Sequence, residues 1–120
     1  MMRMMLKSKI SYASVTDAQL YYKGSIAIDE AIMKEADLLE GERVDVLNLH
    51  NGARLQTYVI KGEKESGVIC LNGPAARLGF KGDKIVIISY GMLSDDETKA
   101  FKARYVELDE NNKIKDTYLA

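Results

Sequence analysis

The sequence predicts a mainly β protein, folded as a small closed barrel with one short helix and a few helical turns. Two observations lead to this fold class. At least six segments have the length and composition of β-strands, whereas only one stretch has convincing helical spacing. In a chain of 120 residues, that many short strands favour a closed barrel over an open sheet. We therefore expect residues 1–120 to form a single domain.

The first half of the chain supplies two strand-like elements and the helix. Residues 4–12 predict an opening strand, and residues 15–22 predict a short element that leads to a Gly24-Ser25 turn. Asp29 is placed to cap a helix running to about Leu38, because apolar residues recur at helical spacing and Gly41 follows as a stop signal.

The second half predicts a hairpin followed by further short strands. Residues 44–49 alternate between apolar and polar types, His50-Asn51-Gly52 contains an Asn-Gly turn, and residues 55–60 are again rich in β-formers. Ser94 and Glu97 have the spacing of a capping box. Further strands are predicted at residues 68–71, 85–90, 102–108 and 113–119.

Composition narrows the classes of function. Lysine and arginine number 17 against 18 aspartates and glutamates, so the overall charge does not favour nucleic acid or an anionic membrane as a partner. The Met-rich start has too short an apolar run for a signal peptide, which predicts a cytoplasmic protein. With one cysteine, Cys70, and one histidine, His50, we expect neither an internal disulfide nor a histidine or thiolate metal site. In its apolar run, Cys70 is interpreted as a small buried hydrophobic residue.

The pair Gly24-Ser25 allows an unusual reaction. Glycine lets the backbone adopt conformations that other residues reach only with strain, so the Ser25 hydroxyl can attack the Gly24 carbonyl. Elimination from the resulting ester would convert residue 25 to dehydroalanine, and hydrolysis would then leave a pyruvoyl group. Taken alone, Gly-Ser is a common turn dipeptide, and its ordinary interpretation is a loop between a strand and a helix.

Three other groups of residues are of types that can take part in binding or catalysis, although each also has an ordinary structural interpretation. Lys9 and Arg54 are typical solvated charges, and Thr57-Tyr58 are good strand formers. Asn72-Gly73-Pro74 has the composition of a turn.

Considered together, these residues resemble the aspartate 1-decarboxylase family, the small bacterial pyruvoyl-dependent enzymes of pantothenate biosynthesis. The resemblance covers nearly the whole chain and lies in the order and spacing of the motifs, which are Lys9, Tyr22, Gly24-Ser25, Arg54, Thr57-Tyr58 and Asn72-Gly73-Pro74-Ala75. It implies a six-stranded double-psi β-barrel that cuts itself into residues 1–24 and 25–120. It also implies a tetramer, a hetero-octamer of four long and four short chains after cleavage. Ser11 departs from the pattern, since some members carry histidine there.

The resemblance implies L-aspartate as substrate, with β-alanine and carbon dioxide as products. Ser25 would become a pyruvoyl group that forms a Schiff base with the substrate amine, without a metal or pyridoxal phosphate. Tyr58 would donate the proton, and Thr57 would assist cleavage at Gly24. The substrate-binding residues it implies are Lys9, Arg54, Thr57, Asn72, Gly73, Pro74 and Ala75. The guanidinium of Arg54 is suited to grip the carboxylate that is kept.

Two alternatives stay open at this stage. The first alternative is a non-enzymatic small barrel that binds a ligand or a protein strand, with Gly24-Ser25 as an intact turn. The second alternative is a pyruvoyl decarboxylase for arginine, histidine or S-adenosylmethionine. Those substrates are not acidic at the end away from the reacting carbon, which disfavours them beside Arg54 and Lys9.

Overall fold

The structure, a computed structural model, describes all residues from Met1 to Ala120 and is mainly β. A 3-10 turn spans Gly73–Arg77, between the sixth and seventh strands. The strands and helices, in chain order, are β1 (Met2–Ser14), β2 (Asp17–Gln19), β3 (Ser25–Asp29), α1 (Glu30–Glu35), β4 (Arg43–Asn48), β5 (Arg54–Gly62), β6 (Ile69–Asn72), β7 (Lys84–Ser94), α2 (Asp95–Thr98), β8 (Arg104–Leu108) and β9 (Ile114–Leu119).

The strands form one nine-stranded sheet that curls into a barrel. Its order is β2-β6-β3-β5-β4-β7-β1-β8-β9. Only Val15 and Thr16 separate β1 from β2, and they continue the barrel wall between β7 and β6. The Val15 amide donates to the Asp83 carbonyl at 2.9 Å, and the Thr16 amide donates to the Ile69 carbonyl at 2.8 Å. The segment β1–β2 therefore joins the two ends of a ring that also contains β6, β3, β5, β4 and β7.

The predicted mainly β fold and small barrel are confirmed, with one correction to the closed six-stranded description. The sheet has nine strands, and no ladder pairs its end strands β2 and β9. The ring of six closes along the chain, through the β1–β2 segment, rather than by a strand ladder. Strands β8 and β9 extend the sheet beyond the ring, and every residue of β9 is exposed. The rings of Tyr105 and Tyr118 stack between these two strands, with their centroids 5.0 Å apart.

The core follows the alternation of side chains that a half-buried strand requires. In β4, Val44, Val46 and Asn48 point inward, and in β7 Ile85 and Ile87 do so. All four residues of β6 are buried, and only the alternate residues Ile69 and Leu71 belong to the hydrophobic core cluster. One cluster of 19 buried hydrophobic residues fills the barrel.

Two predictions about local structure near Gly24 were wrong. Ser25 begins a strand, β3, rather than lying in a turn that leads directly to a helix. Helix α1 ends at Glu35, several residues before the predicted end at Leu38, and Asp37 has a left-handed φ of 55°. The start of the helix was right, since the Asp29 carboxylate accepts the Ala31 amide at 2.8 Å. The capping box of Ser94 and Glu97 is also confirmed.

The opening segment is a strand of the barrel, and neither helix could span a membrane. The Met-rich start belongs to the barrel strand β1, whose inner face contributes the fully buried residues Ile10 and Ala13. Neither helix has the length and apolar character that crossing a bilayer requires.

Candidate active site

Ser25 lies at the first position of β3, where the ladder with β6 sets it opposite Asn72. Both residues are buried, with 1% and 3% of their surfaces exposed. The Asn72 Nδ2 group donates to the Ser25 Oγ atom at 3.1 Å, and this hydroxyl donates in turn to the Lys23 carbonyl at 3.4 Å. A buried hydroxyl with two fixed partners is held in one orientation.

Gly73 brings the 3-10 turn against the Gly24-Ser25 peptide. It has a left-handed φ of 66°, a conformation that favours glycine. A Cβ atom on residue 73 would lie 2.8 Å from the Gly24 Cα and 2.9 Å from the Tyr22 carbonyl oxygen. Only a residue without a side chain fits this contact. Pro74 covers Gly24 from another side, since its Cδ atom lies 3.6 Å from where a Gly24 Cβ would stand.

The strand pairing also brings Thr57 and Tyr58 to this peptide. Strands β3 and β5 run parallel, with Ile26 opposite Val59, so one residue back along both strands sets Tyr58 beside Ser25. Tyr58 is 42% exposed, whereas Thr57 is half-buried. A cavity of about 330 Å³ opens at this place, lined by Gly24, Leu55, Gln56, Thr57, Tyr58, Asn72, Pro74, Ala75 and Leu78.

Three predicted substrate-binding residues, Lys9, Arg54 and Gly73, do not line this cavity, and neither does Ser25. Lys9 lies within β1, opposite Ile88 of β7 and Tyr105 of β8. Arg54 begins β5, four residues before Tyr58, which corresponds to roughly 13 Å of strand. The structure of one chain thus gathers six predicted site residues around the cavity, leaves Lys9 and Arg54 outside it, and sets Gly73 behind Gly24.

The sequence did not reveal the part that Cys70 takes in this region. It was interpreted as a small buried hydrophobic residue and is indeed buried, with 7% exposed. Its Sγ atom also lies 3.2 Å from the Asn72 Oδ1 atom, as a donor to that oxygen. Residues two apart on a strand share a face, so the strand period was the available signal. Leu55, Gln56 and Leu78 are further cavity residues that the sequence did not single out.

Burial and one carboxylate control the ionisation of this thiol. Burial raises the pKa of Cys70 above its usual value, and the negative charge of Asp17, its partner in the β2–β6 ladder, raises it further. The pKa of Asp17 itself is lowered by hydrogen bonds from the Gln19 side chain and the Ala18 amide. Cys70 therefore keeps its proton at neutral pH and remains a hydrogen-bond donor.

The largest surface depression lies elsewhere. It measures about 530 Å³ and is formed by α1 with parts of the following loop and β5. Charges of both signs line it, among them Glu30, Lys34 and Lys61, and none of the predicted site residues does. The smaller cavity at Gly24 is the better candidate, since the buried Ser25 hydroxyl adjoins two of its lining residues, Gly24 and Asn72, and the exposed phenol of Tyr58 lines it. No group of three or more His, Cys, Asp or Glu residues is arranged to hold a metal ion.

Comparison with known proteins identifies the family of this chain. The family model described as aspartate decarboxylase matches residues 1–115. The chain belongs to the aspartate decarboxylase family. Curated relatives named aspartate 1-decarboxylase include one from Thermoanaerobacter pseudethanolicus, 56% identical over 94% of this chain and 97% of the relative. Another, from Syntrophomonas wolfei, is 55% identical over 97% of this chain and 98% of the relative.

Membership of the aspartate decarboxylase family decides between the alternatives left open by the sequence. A relative from Bacillus cereus with the same printed name is 50% identical over 95% of this chain and 90% of its own length. The family resemblance and the prediction of an enzyme, a carbon–carbon lyase of the carboxy-lyase class, are confirmed. The interpretation as a non-enzymatic binding module is set aside.

Proposed function

We propose that this aspartate decarboxylase family member cuts itself at Gly24-Ser25 and then converts L-aspartate to β-alanine and carbon dioxide, as a source of β-alanine for pantothenate biosynthesis. The observation that carries the proposal is the position of Ser25. Its buried hydroxyl accepts a hydrogen bond from Asn72, next to a glycine that Gly73 and Pro74 enclose. This arrangement supports a reaction of the Ser25 hydroxyl with the neighbouring peptide.

The proposed cleavage begins with an acyl shift. Ser25 Oγ attacks the Gly24 carbonyl carbon and forms a C–O bond, while the C–N bond breaks and the hydroxyl proton is transferred to the released Ser25 amine. Thr57 lines the same cavity and is proposed to hydrogen-bond the oxyanion that develops at Gly24. Loss of the Ser25 Cα proton then breaks the Cβ–Oγ bond and releases Gly24 as a carboxylate. Water hydrolyses the remaining dehydroalanine, with loss of ammonia, to give the pyruvoyl group.

The residues around Ser25 fit this group, because its chain neighbour Gly24 and its hydrogen-bond partner Asn72 both line the cavity. The pyruvoyl carbonyl would supply the electron sink that ordinary side chains lack, without pyridoxal phosphate or a metal. Tyr58 is proposed to deliver a proton to the substrate carbon after carbon dioxide has left. Its partial exposure allows the phenol to be reprotonated from solvent. Asn72 and the amides near Gly73 and Ala75 would orient the bound groups.

Substrate recognition is assigned to Arg54 and Lys9. Aspartate carries two carboxylates, and the one that is kept needs a charged, directional partner, for which a guanidinium offers two parallel hydrogen bonds. Lys9 would add a point charge. Neither residue lines the cavity of its own chain, which supports a site completed by a neighbouring protomer.

We therefore propose a closed symmetric tetramer, with Arg54 and the pyruvoyl group contributed by different protomers. After cleavage this assembly is a hetero-octamer of four short and four long chains. Sedimentation at the concentration used in the assay tests the assembly, and a fully active monomer would contradict it.

The proposal places the enzyme in the cytoplasm, without a nucleic-acid or membrane partner. The nearly balanced total of 17 positive and 18 negative side chains supports this placement, because it gives no strong field toward polyanions. The Met-rich start also serves as a barrel strand, which gives it a structural role in the folded protein.

The test of the proposed function is a substrate series without added pyridoxal phosphate. We expect release of β-alanine and carbon dioxide from L-aspartate by wild-type protein and none by Ser25→Ala. Asparagine lacks the second charge, and glutamate has one more methylene, which moves its reacting carbon away from the pyruvoyl carbonyl when the far carboxylate is anchored. Both should therefore have much lower kcat/KM values. Equal kcat/KM for aspartate and asparagine would contradict the assignment.

A further inference from the structure

The side chains of Cys70, Asn72 and Ser25 form a continuous hydrogen-bond chain that links strands β6 and β3. The Cys70 thiol donates to the Asn72 Oδ1 atom at 3.2 Å, and the Asn72 Nδ2 group donates to the Ser25 Oγ atom at 3.1 Å. All three residues are buried. Cys70 and Asn72 lie two apart on β6, on the same face, and Ser25 faces Asn72 across the ladder.

An asparagine side chain can be turned over so that its oxygen and nitrogen exchange places. In the orientation shown, the nitrogen donates to the Ser25 hydroxyl, which leaves the hydroxyl proton free to point toward the Lys23 carbonyl. In the reverse orientation the amide oxygen would face the hydroxyl and attract its proton. A partner that donates to the outer atom of the amide favours the first orientation, and the Cys70 S–H group is placed to donate there.

We infer that Cys70 is a positioning residue for self-cleavage, which holds the Asn72 amide in the orientation that donates to the Ser25 oxygen. This inference rests on the proposed function and adds a residue outside the cavity to it. A donor at Oγ stabilises the negative charge that this oxygen develops as it loses its proton to attack Gly24. It also assists the later breakage of the Cβ–Oγ bond, in which the same oxygen leaves with the Gly24 carboxylate.

The ionisation of Cys70 agrees with this role. Burial and the Asp17 charge raise the thiol pKa, so the donor proton is retained through the neutral range. The thiol itself takes no part in bond formation and is not consumed. The strand pairing that sets Asp17 opposite Cys70 is thus compatible with a permanent S–H donor at this position.

Three variants separate hydrogen bonding from packing. Cys70→Ser keeps a donor, Cys70→Ala removes the donor and leaves space, and Cys70→Val removes the donor but fills the space. Unprocessed protein is isolated rapidly, and the conversion to the two fragments is followed by intact-mass analysis. We expect Cys70→Ser to cleave at a rate close to wild type, and both Cys70→Ala and Cys70→Val to cleave about tenfold more slowly, the scale of one lost hydrogen bond.

A role in packing alone gives a different order of rates. If Cys70→Val cleaves as fast as wild type, or if Cys70→Ser is as slow as Cys70→Ala, the inference is overturned. Equal rates for all four proteins would also overturn it. The proposed function fails separately, because wild-type protein would then produce no fragments at all. A comparison of thermal unfolding midpoints among the variants confirms that all are folded at the assay temperature.

Discussion

Gly73 packs directly on Gly24, with no room for a Cβ atom between the 3-10 turn and the peptide that is proposed to break. Gly73→Ala should therefore displace Gly24 and slow self-cleavage by at least about tenfold, since small misplacements of reacting groups are costly. The rate of fragment formation measures this effect.

Gly82→Ala is the matched control for this substitution. Gly82 also has a left-handed φ, 93°, but a Cβ atom there would meet nothing within 4 Å. Gly82→Ala should lose about 1 kcal/mol of stability from backbone strain, and Gly73→Ala should lose more because its Cβ atom also clashes with Gly24. Only Gly73→Ala should cleave slowly. Equal cleavage rates in the two variants would show that the contact with Gly24 does not matter.

Tyr58→Phe separates proton delivery from cleavage. The substitution removes one hydroxyl and little volume, so the variant should still process itself, but its kcat should fall by at least about 100-fold, the usual scale for loss of a general acid. Tyr90→Phe is a suitable control, because Tyr90 is also 42% exposed and lies outside the cavity at Gly24. Wild-type turnover by Tyr58→Phe would assign the proton to another group.

Arg54→Lys tests how the substrate carboxylate is bound. The variant keeps the positive charge but loses the planar pair of donors, a contact worth roughly 1.5–3 kcal/mol. We expect normal self-cleavage. The kcat/KM for aspartate should fall by at least one to two powers of ten. Arg104→Lys, on the exposed side of β8, provides a comparison that should behave as wild type. If Arg54→Lys equals wild type, Lys9 becomes the next candidate for the anchor.

The stability of the barrel should decrease at acid pH through Asp83. Hydrogen bonds from the Asn48 side chain and the Phe80 amide lower the pKa of Asp83 below its ordinary 3.8. A lowered folded-state pKa gives stability that is present above pH 3.8 and is lost as the pH falls through the folded value. Asp83→Asn should therefore be less stable than wild type at neutral pH, and the difference should shrink in strong acid.

Denaturant unfolding at a series of pH values measures this dependence. Asp116→Asn serves as the control, since Asp116 lies on the exposed strand β9. A constant difference between wild type and Asp83→Asn across the acid range would show that the carboxylate charge is not responsible.

Much of the fold follows from local patterns in the sequence. Alternation predicted β4, the content of β-formers predicted β5, and the Asn-Gly turn predicted the hairpin between them. Strand β3 was missed because its five residues lie between a glycine turn and a helix cap, which are both strong local signals. Its strand conformation depends on ladders with β5 and β6, which no local pattern reveals.

The sequence predicted some residues of the candidate site but not all of their contacts. The family resemblance selected Ser25, Thr57, Tyr58 and Asn72, and the three adjacent strands β3, β5 and β6 bring these residues together. The inferred orientation of the Asn72 amide depends on Cys70, which composition alone classifies as apolar. The sequence does not show that its thiol lies beside an acceptor, the Asn72 Oδ1 atom. The proposed roles of Lys9 and Arg54 require a neighbouring protomer, because neither residue lines the cavity of its own chain.

The central claim is that Ser25 gives rise to the catalytic group by breaking its own peptide bond. Intact-mass analysis of purified wild-type protein, beside Ser25→Ala, tests it most directly. We predict a fragment of residues 1–24 that ends in a free carboxylate and a fragment of residues 25–120 whose first residue is a pyruvoyl group, blocked to Edman degradation. Ser25→Ala should remain a single chain of 120 residues without activity. A fully active wild-type preparation that contains only the intact chain would contradict the account.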